Sequence, residues 1–305
     1  MARIIITVII SLALIFTGVF IPFIGLAGFS LCALPLAVLA CLDGHKKSIA
    51  AEILIEIILL LFISPVMAFY FFINSAPIAG VIYLLAKSDK KYSAAQNILI
   101  CFSVAVLGKL ILMIAYRIFT GSNFFEIDIA NMLIILNQLY GGDTQEIISA
   151  ARRVLFIFPH MIPLMVIIYS GIEAFLNYVI CGAVLEKYFS AASVKPVTVN
   201  KFSDWKFPRS LIFALIIGLV LNYFVDAEEY TTLYFFAVNI QILIDLLLFV
   251  QGLSLINWLL DKYTSKNNFL RALIFAMLII LPMMWPFVII MGMGAISWHI
   301  KRRQS

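Results

Sequence analysis

Three ionisable residues in this sequence stand where few are expected. Lys109 lies in CFSVAVLGKLILMIAY, Glu173 in MIPLMVIIYSGIEAFLNYVI and Asp245 in VNIQILIDLLLFVQG. Each interrupts a long apolar run. A charged side chain at the centre of a bilayer costs at least about 2.5–3.5 kcal/mol on insertion scales, so it turns toward protein interior or a wet cavity. Ser170 and Asn177 flank Glu173 at helical spacing, and Gln241 precedes Asp245 by one turn. Residues three or four apart share a helix face. The predicted chemistry is therefore binding or proton transfer. Lys109, Glu173, Asn177, Gln241 and Asp245 are the candidates for a central polar pocket that binds a small polar solute or relays a proton.

A structural alternative uses the same residues. Lys109 pairs with one carboxylate and fixes two helices, while the other carboxylate stays protonated and bonds to Gln241 or Asn177. Interhelical polar contacts of this kind are worth about 0.6–2 kcal/mol.

No sequence signature of an enzyme accompanies these residues. The chain has no phosphate-binding glycine loop, no HExxH, no GxSxG and no CxxC pair, and each of those motifs carries a definite mechanism. No catalytic residue, metal ligand set or cofactor is expected, and ATP-driven work would need another subunit. Cys32, Cys41, Cys101 and Cys181 all lie in apolar blocks and read as small buried hydrophobes. His160, between prolines in FPHMIP, reads as an interfacial hydrogen-bonding residue, and Glu52 and Glu56 as acids favoured near a helix start.

The elements that position the candidates follow from composition. Of the 305 residues, 64% are hydrophobic and 12% charged, against about 25% charged in soluble domains. Apolar blocks long enough for spanning helices, about 17–25 residues each, recur throughout without the alternation of a membrane barrel. The expected fold is all-α: a polytopic transmembrane helical bundle with about 8–10 spans, several short or hairpin-like, forming a single integral membrane domain over 1–305. Expected spans are 4–21, 29–42, 49–64, 66–86, 95–117, 153–187, 209–225, 231–260, 269–282 and 285–299. Residues 49–86 read as a hairpin broken at Ser64-Pro65. Residues 269–299 read as two arms turning back at LPMMWP, or as one kinked helix. The first block is read as a retained helix rather than a signal peptide.

Orientation follows from Lys and Arg. Most fall on one side of this arrangement, from Arg3, Lys46 and Lys47 to the C-terminal KRR, while Glu126, Asp128, Asp226, Glu228 and Glu229 fall on the other. Both termini are expected to be cytoplasmic, in a bacterial inner membrane. Residues 118–152 are an outer loop with a possible interfacial helix. Residues 188–208 are a cytoplasmic loop ending in the anchor Trp205-Lys206-Phe207-Pro208. Gly252, Ala33-x-x-x-Ala37 and Ala76-x-x-x-Gly80 are candidate close-packing surfaces, internal or toward a partner.

Several segments in order resemble the YybS-like family of bacterial membrane proteins, a domain of unknown function. They are IPFIGLAGFSLCALPL, DGHKKS, SAPIAGVIYLLAKSDKK, IPLMVIIYSGIEAFLNYVICGAVLEKY, DWKFP and FVQGLSLI. That family is distantly similar to the substrate-binding subunits of energy-coupling-factor transporters. The resemblance implies a helical bundle with partner membrane subunits and ATPases, and it carries no binding residue across. The expected function is transport, or substrate binding in the membrane, for a small solute. The alternative is a scaffold of envelope or division machinery. The expected surroundings are lipid and membrane partners, with no nucleic acid.

Overall fold

The computed structural model describes residues 1–21, 28–88, 92–121, 145–188, 201–225, 231–263 and 268–297. Side chains are described in those segments except at 145–158, 231, 268 and 269. Among the described residues there are no strands, and besides two 3₁₀ turns and a helical stretch at 28–30 there are ten α-helices: α1 (Ala2–Phe20), α2 (Leu34–Asp43), α3 (His45–Phe62), α4 (Pro65–Lys87), α5 (Ala94–Thr120), α6 (Gln145–Tyr188), α7 (Ser210–Phe224), α8 (Thr231–Tyr263), α9 (Asn268–Ile280) and α10 (Trp285–Ser297). The apolar blocks are thus helices, and the protein is an all-α, multi-pass membrane protein. Five helices among the described residues are long and apolar enough to cross a bilayer: α1, α4, α5, α6 from Pro159, and α8. The bent pair α9–α10 counts as a sixth if it is one span.

Local chemistry sets the breaks. The chain leaves α3 at Ile63, and Ser64 caps α4 by accepting a hydrogen bond from the Met67 amide at 3.2 Å, with Pro65 in the first turn. Proline at that position loses no helical hydrogen bond. The expected break at Ser64-Pro65 is therefore observed, and α3 packs against α4. Ser93 and Gln96 form a reciprocal capping box at the start of α5. Gly121 ends α5 in the left-handed region, where glycine is unstrained. The α9–α10 block breaks at LPMMWP, where both readings of it place a break. A short 3₁₀ turn at Pro282–Met284 bends the two arms by 90°. Trp285 Nε1 donates to the Ile279 carbonyl at 3.1 Å across that bend, meeting a carbonyl that the proline-rich turn leaves without a helical partner.

The chain divides into two compact units, 1–199 and 200–305. In the first, α1 to α6 surround a core that includes Ile15, Leu36, Ile55, Leu59, Ile78, Ile82 and Cys181. In the second, α8 packs against α7, α10 and the segment Phe202–Asp204. Glycine makes the α8–α10 contact. A Cβ on Gly252 would lie 2.0 Å from the Val288 carbonyl oxygen, and one on Gly292 would lie 2.0 Å from that of Leu248. Gly252 is thus the close-packing position expected. Ala33 and Ala37 are fully buried, whereas Gly80 is exposed with nothing within 4 Å.

The interfacial helix expected in 118–152 lies largely outside the described residues. Its ends are helical, because α5 continues to Thr120 and α6 begins at Gln145. Most of the inner loop expected over 188–208, together with the basic tail, also lies outside them. The described part, 201–208, is tied to α8. Gln251 accepts from the Phe207 amide at 2.8 Å and donates to the Trp205 carbonyl at 3.2 Å, and Ser254 donates to the Phe202 carbonyl at 2.7 Å. Gln251 is 2% exposed and Ser254 is fully buried. These side chains satisfy backbone groups that an irregular segment leaves without partners.

Candidate functional site

Helix α5 is arranged for lipid outside and polarity inside. Leu107, Ile111 and Ile114 are 52–60% exposed, whereas Cys101, Ala105, Gly108, Lys109 and Leu112 form its buried face. A water-soluble helix would do the reverse. Lys109 lies 15 residues from the start of α5, and Glu173 lies 14 residues past Pro159. Each is thus about 21–23 Å along its apolar stretch, at 1.5 Å per residue.

The two residues meet there. Lys109 Nζ donates to Glu173 Oε2 across the α5–α6 contact. Glu173 is fully buried and Lys109 is 7% exposed. Removing both charges from water is costly, and only close pairing with further hydrogen bonds offsets that cost. The Tyr169 ring lies under the ammonium, 4.8 Å from Nζ to the ring centroid, and adds cation–π stabilisation. One residue away, the bare backbone of Gly108 admits α4: a Cβ there would come within 2.9 Å of the Ile73 carbonyl oxygen.

The stripe read from the sequence is intact. Ser170, Glu173 and Asn177 are all fully buried on α6. Asn177 Nδ2 donates to the Ser30 carbonyl at 2.6 Å and to the Glu173 carbonyl at 2.8 Å. Helix structure is interrupted at Leu31–Ala33, so the Ser30 carbonyl is available to a side chain. The Tyr169 side chain lies within hydrogen-bonding reach of those of Ser30 and Tyr70.

Three oxygens in this cluster have no hydrogen-bond partner among the described residues: Glu173 Oε1, Asn177 Oδ1 and Ser170 Oγ. Buried polar atoms are nearly always paired, by protein, water or ligand. The carboxylate and amide oxygens can only accept, and the Asn177 amide hydrogens are already used. The unmet capacity is therefore mostly acceptor capacity, which suits a group that donates hydrogen bonds.

Gln241 and Asp245 form a second pair, within the other compact unit. Gln241 Nε2 donates to Asp245 Oδ1 at 3.0 Å along α8, and Asp245 is half-buried. Gly218 of α7 makes room for Gln241, since a Cβ there would lie 2.7 Å from Gln241 Oε1. Lys109 thus takes Glu173 as its carboxylate, and Asp245 takes an amide on its own helix.

Glu52 is where local reasoning went astray. It reads as an acid stabilised near a helix start, yet it is 6% exposed and its Oε1 accepts from Ser75 Oγ of α4 at 2.7 Å. A polar residue inside each of two apolar blocks was the available signal. The four cysteines are buried and free, as their apolar surroundings predict. Among the described residues, no three His, Cys, Asp or Glu side chains are grouped as metal ligands.

The comparisons agree with the membrane architecture. Residues 8–294 match the family described as Predicted membrane protein (DUF2232). A 166-residue stretch is 25% identical to "Uncharacterized protein YybS" of Bacillus subtilis (strain 168), covering 53% of this chain and 50% of that protein. The chain thus spans about half the length of the curated relative it matches. No solved structure matches. With nearly its whole length matched and its apolar blocks folded as helices, the chain belongs to the DUF2232 family of membrane proteins, of which a YybS-like protein is a relative.

Proposed function

We propose that this protein is a transporter, or the substrate-binding membrane component of one, for a small polar solute. The observation that carries the reading is the buried Lys109–Glu173 pair at mid-helix depth, with Glu173 Oε1 unpartnered. A pair serving only to hold α5 to α6 gains by having both carboxylate oxygens satisfied. An unmet oxygen beside Asn177 Oδ1 and Ser170 Oγ suits a ligand with hydroxyl, amine or amide donors. Gln241 and Asp245 are proposed as a second polar element of the same protein.

The Lys and Arg distribution supports a bacterial cytoplasmic membrane with both termini cytoplasmic. Partner membrane subunits that supply energy belong to the same proposal, since the chain carries no nucleotide-binding motif.

A thermal-shift comparison against fractionated small-molecule extract of the host tests the reading. A fraction that stabilises the wild type but not Glu173→Gln supports it. Equal stabilisation of both by every active fraction refutes it.

A second reading has one observation in its favour. Gly80 of α4 is exposed and open, and small residues on an exposed membrane helix suit packing by another protein. A scaffold role predicts a stable protein partner lost in Gly80→Leu and no small ligand.

A further inference from the structure

Helix α3 carries a second buried acidic feature, with no basic partner among the described residues. Its outer face is apolar and exposed, with Ile53, Leu54, Ile57, Leu60 and Leu61 all at least 41% exposed. Its inner face carries Ala51, Glu52, Ile55 and Leu59, with Glu56 half-buried one turn beyond Glu52. The two carboxylates lie about 10 and 16 Å along the helix at 1.5 Å per residue. Ser75 Oγ, whose single hydrogen is shared with the Phe71 carbonyl, reaches Glu52 Oε1, and Glu52 Oε2 and Glu56 Oε1 are buried atoms with no hydrogen-bond partner among the described residues.

The surrounding charges do not neutralise them. Among the described residues, the salt bridges are Arg3–Asp43, Lys47–Asp43, Lys109–Glu173 and Arg271–Asp261, so neither acid has one. From α1, the buried polar groups are Thr7 and Ser11. From α4 they are Asn74 and Ser75, and before α2 the thiol of Cys32 lies within electrostatic reach of Glu52. None of these is a cation, and Lys109, which also lies within electrostatic reach of Cys32, is paired with Glu173. Two carboxylates one turn apart on a mostly buried face cannot both stay ionised cheaply. Among the described residues no third acidic, His or Cys side chain joins the two as in a metal site, whereas hard metal cations take about six or more oxygens. A proton needs one.

We propose that Glu52 is a proton-binding carboxyl, with Glu56 as the neighbouring acid through which its proton is exchanged. Binding adds one proton to Glu52 Oε2 and takes the pair from two negative charges to one. Release returns that proton to Glu56 and then to solvent, without a covalent or redox step. The site involves no solute, and because Cys32 lies within electrostatic reach of Glu52, Glu173 and Lys109 alike, the Glu173→Gln variant is what distinguishes its failure from that of the transport reading.

Infrared difference spectroscopy of the full chain in lipid vesicles, titrated with pH, reads protonated carboxyl directly. The expected result is a protonated-carboxyl carbonyl band in wild type and in Glu173→Gln. It is lost in Glu52→Gln, titrates at lower pH in Glu56→Gln, and does not change when NaCl replaces choline chloride. A band unchanged in both α3 variants overturns the proposal. So does the absence of any such band, or a band displaced by sodium, which would make the ligand a metal cation. If Glu52→Gln does not fold, the Glu56→Gln shift alone decides, because the half-buried position tolerates the change.

Discussion

Lys109 on α5 and Glu173 on α6 form an ion pair at mid-helix depth, with Glu173 fully buried and one of its oxygens left without a partner. Removing one member of such a pair leaves an uncompensated buried charge and costs about 3–5 kcal/mol, whereas removing both is far cheaper. Lys109→Met and Glu173→Gln should each lower the thermal midpoint in detergent. The double variant should recover most of the loss. If stability is the pair's whole purpose, the double variant also keeps any bound ligand; the transport reading predicts that it is stable and empty.

The α8–α10 contact has no room for side chains at two glycines. Gly252→Ala and Gly292→Ala each bring a Cβ to 2.0 Å from a carbonyl oxygen. Overpacking of this kind costs about 1–3 kcal/mol, or more where backbone must move. Gly80→Ala, which meets nothing within 4 Å, should be stabilising by up to about 1 kcal/mol through helix propensity. Thermal unfolding of the three variants side by side checks the contrast.

Gln251 holds the segment before α7 through two backbone contacts. Gln251→Leu should free the Phe207 amide, with each lost hydrogen bond worth about 0.5–1.5 kcal/mol. Hydrogen exchange at residues 205–207 should quicken while exchange in α5 and α6 stays unchanged. Uniform quickening would mean instead that the whole chain had loosened.

Asp43, at the end of α2, receives Arg3 at 2.6 Å and Lys47 at 3.2 Å. The hydrogen bond from Lys47, with Arg3 adding to it, holds its carboxyl below the ordinary carboxylate range. A lowered folded-state value means the contribution is present above the unfolded value and is lost as pH falls through the folded one. Both basic partners are exposed, so salt should weaken the effect. Thermal midpoints of wild type and Asp43→Asn should differ at neutral pH and low salt and converge in acid.

Much of the architecture was legible because helix boundaries depend on local chemistry. Apolar runs, Ser64-Pro65 and Pro282 act within a few residues of where they stand. The stripe of Ser170, Glu173 and Asn177 was legible for the same reason, since helical spacing alone places them on one face. Which carboxylate Lys109 takes was not, because that choice depends on how α5 meets α6 in space. Glu52 was misread on the same account: its partner Ser75 is 23 residues away on another helix, and a local dipole argument does not see it. The roles of Gln251 and Ser254 depend on where the irregular 201–208 segment lies, which no periodicity reports.

The central claim is that Glu173 belongs to a ligand site. Native mass spectrometry tests it most directly, on wild type, Glu173→Gln and the Lys109→Met/Glu173→Gln double variant, each gently extracted from the host's own membranes. The account predicts a small-molecule adduct on the wild type that both variants lack, with the double variant still folded. The same adduct on all three proteins, or only lipid and a common protein partner on each, would contradict it.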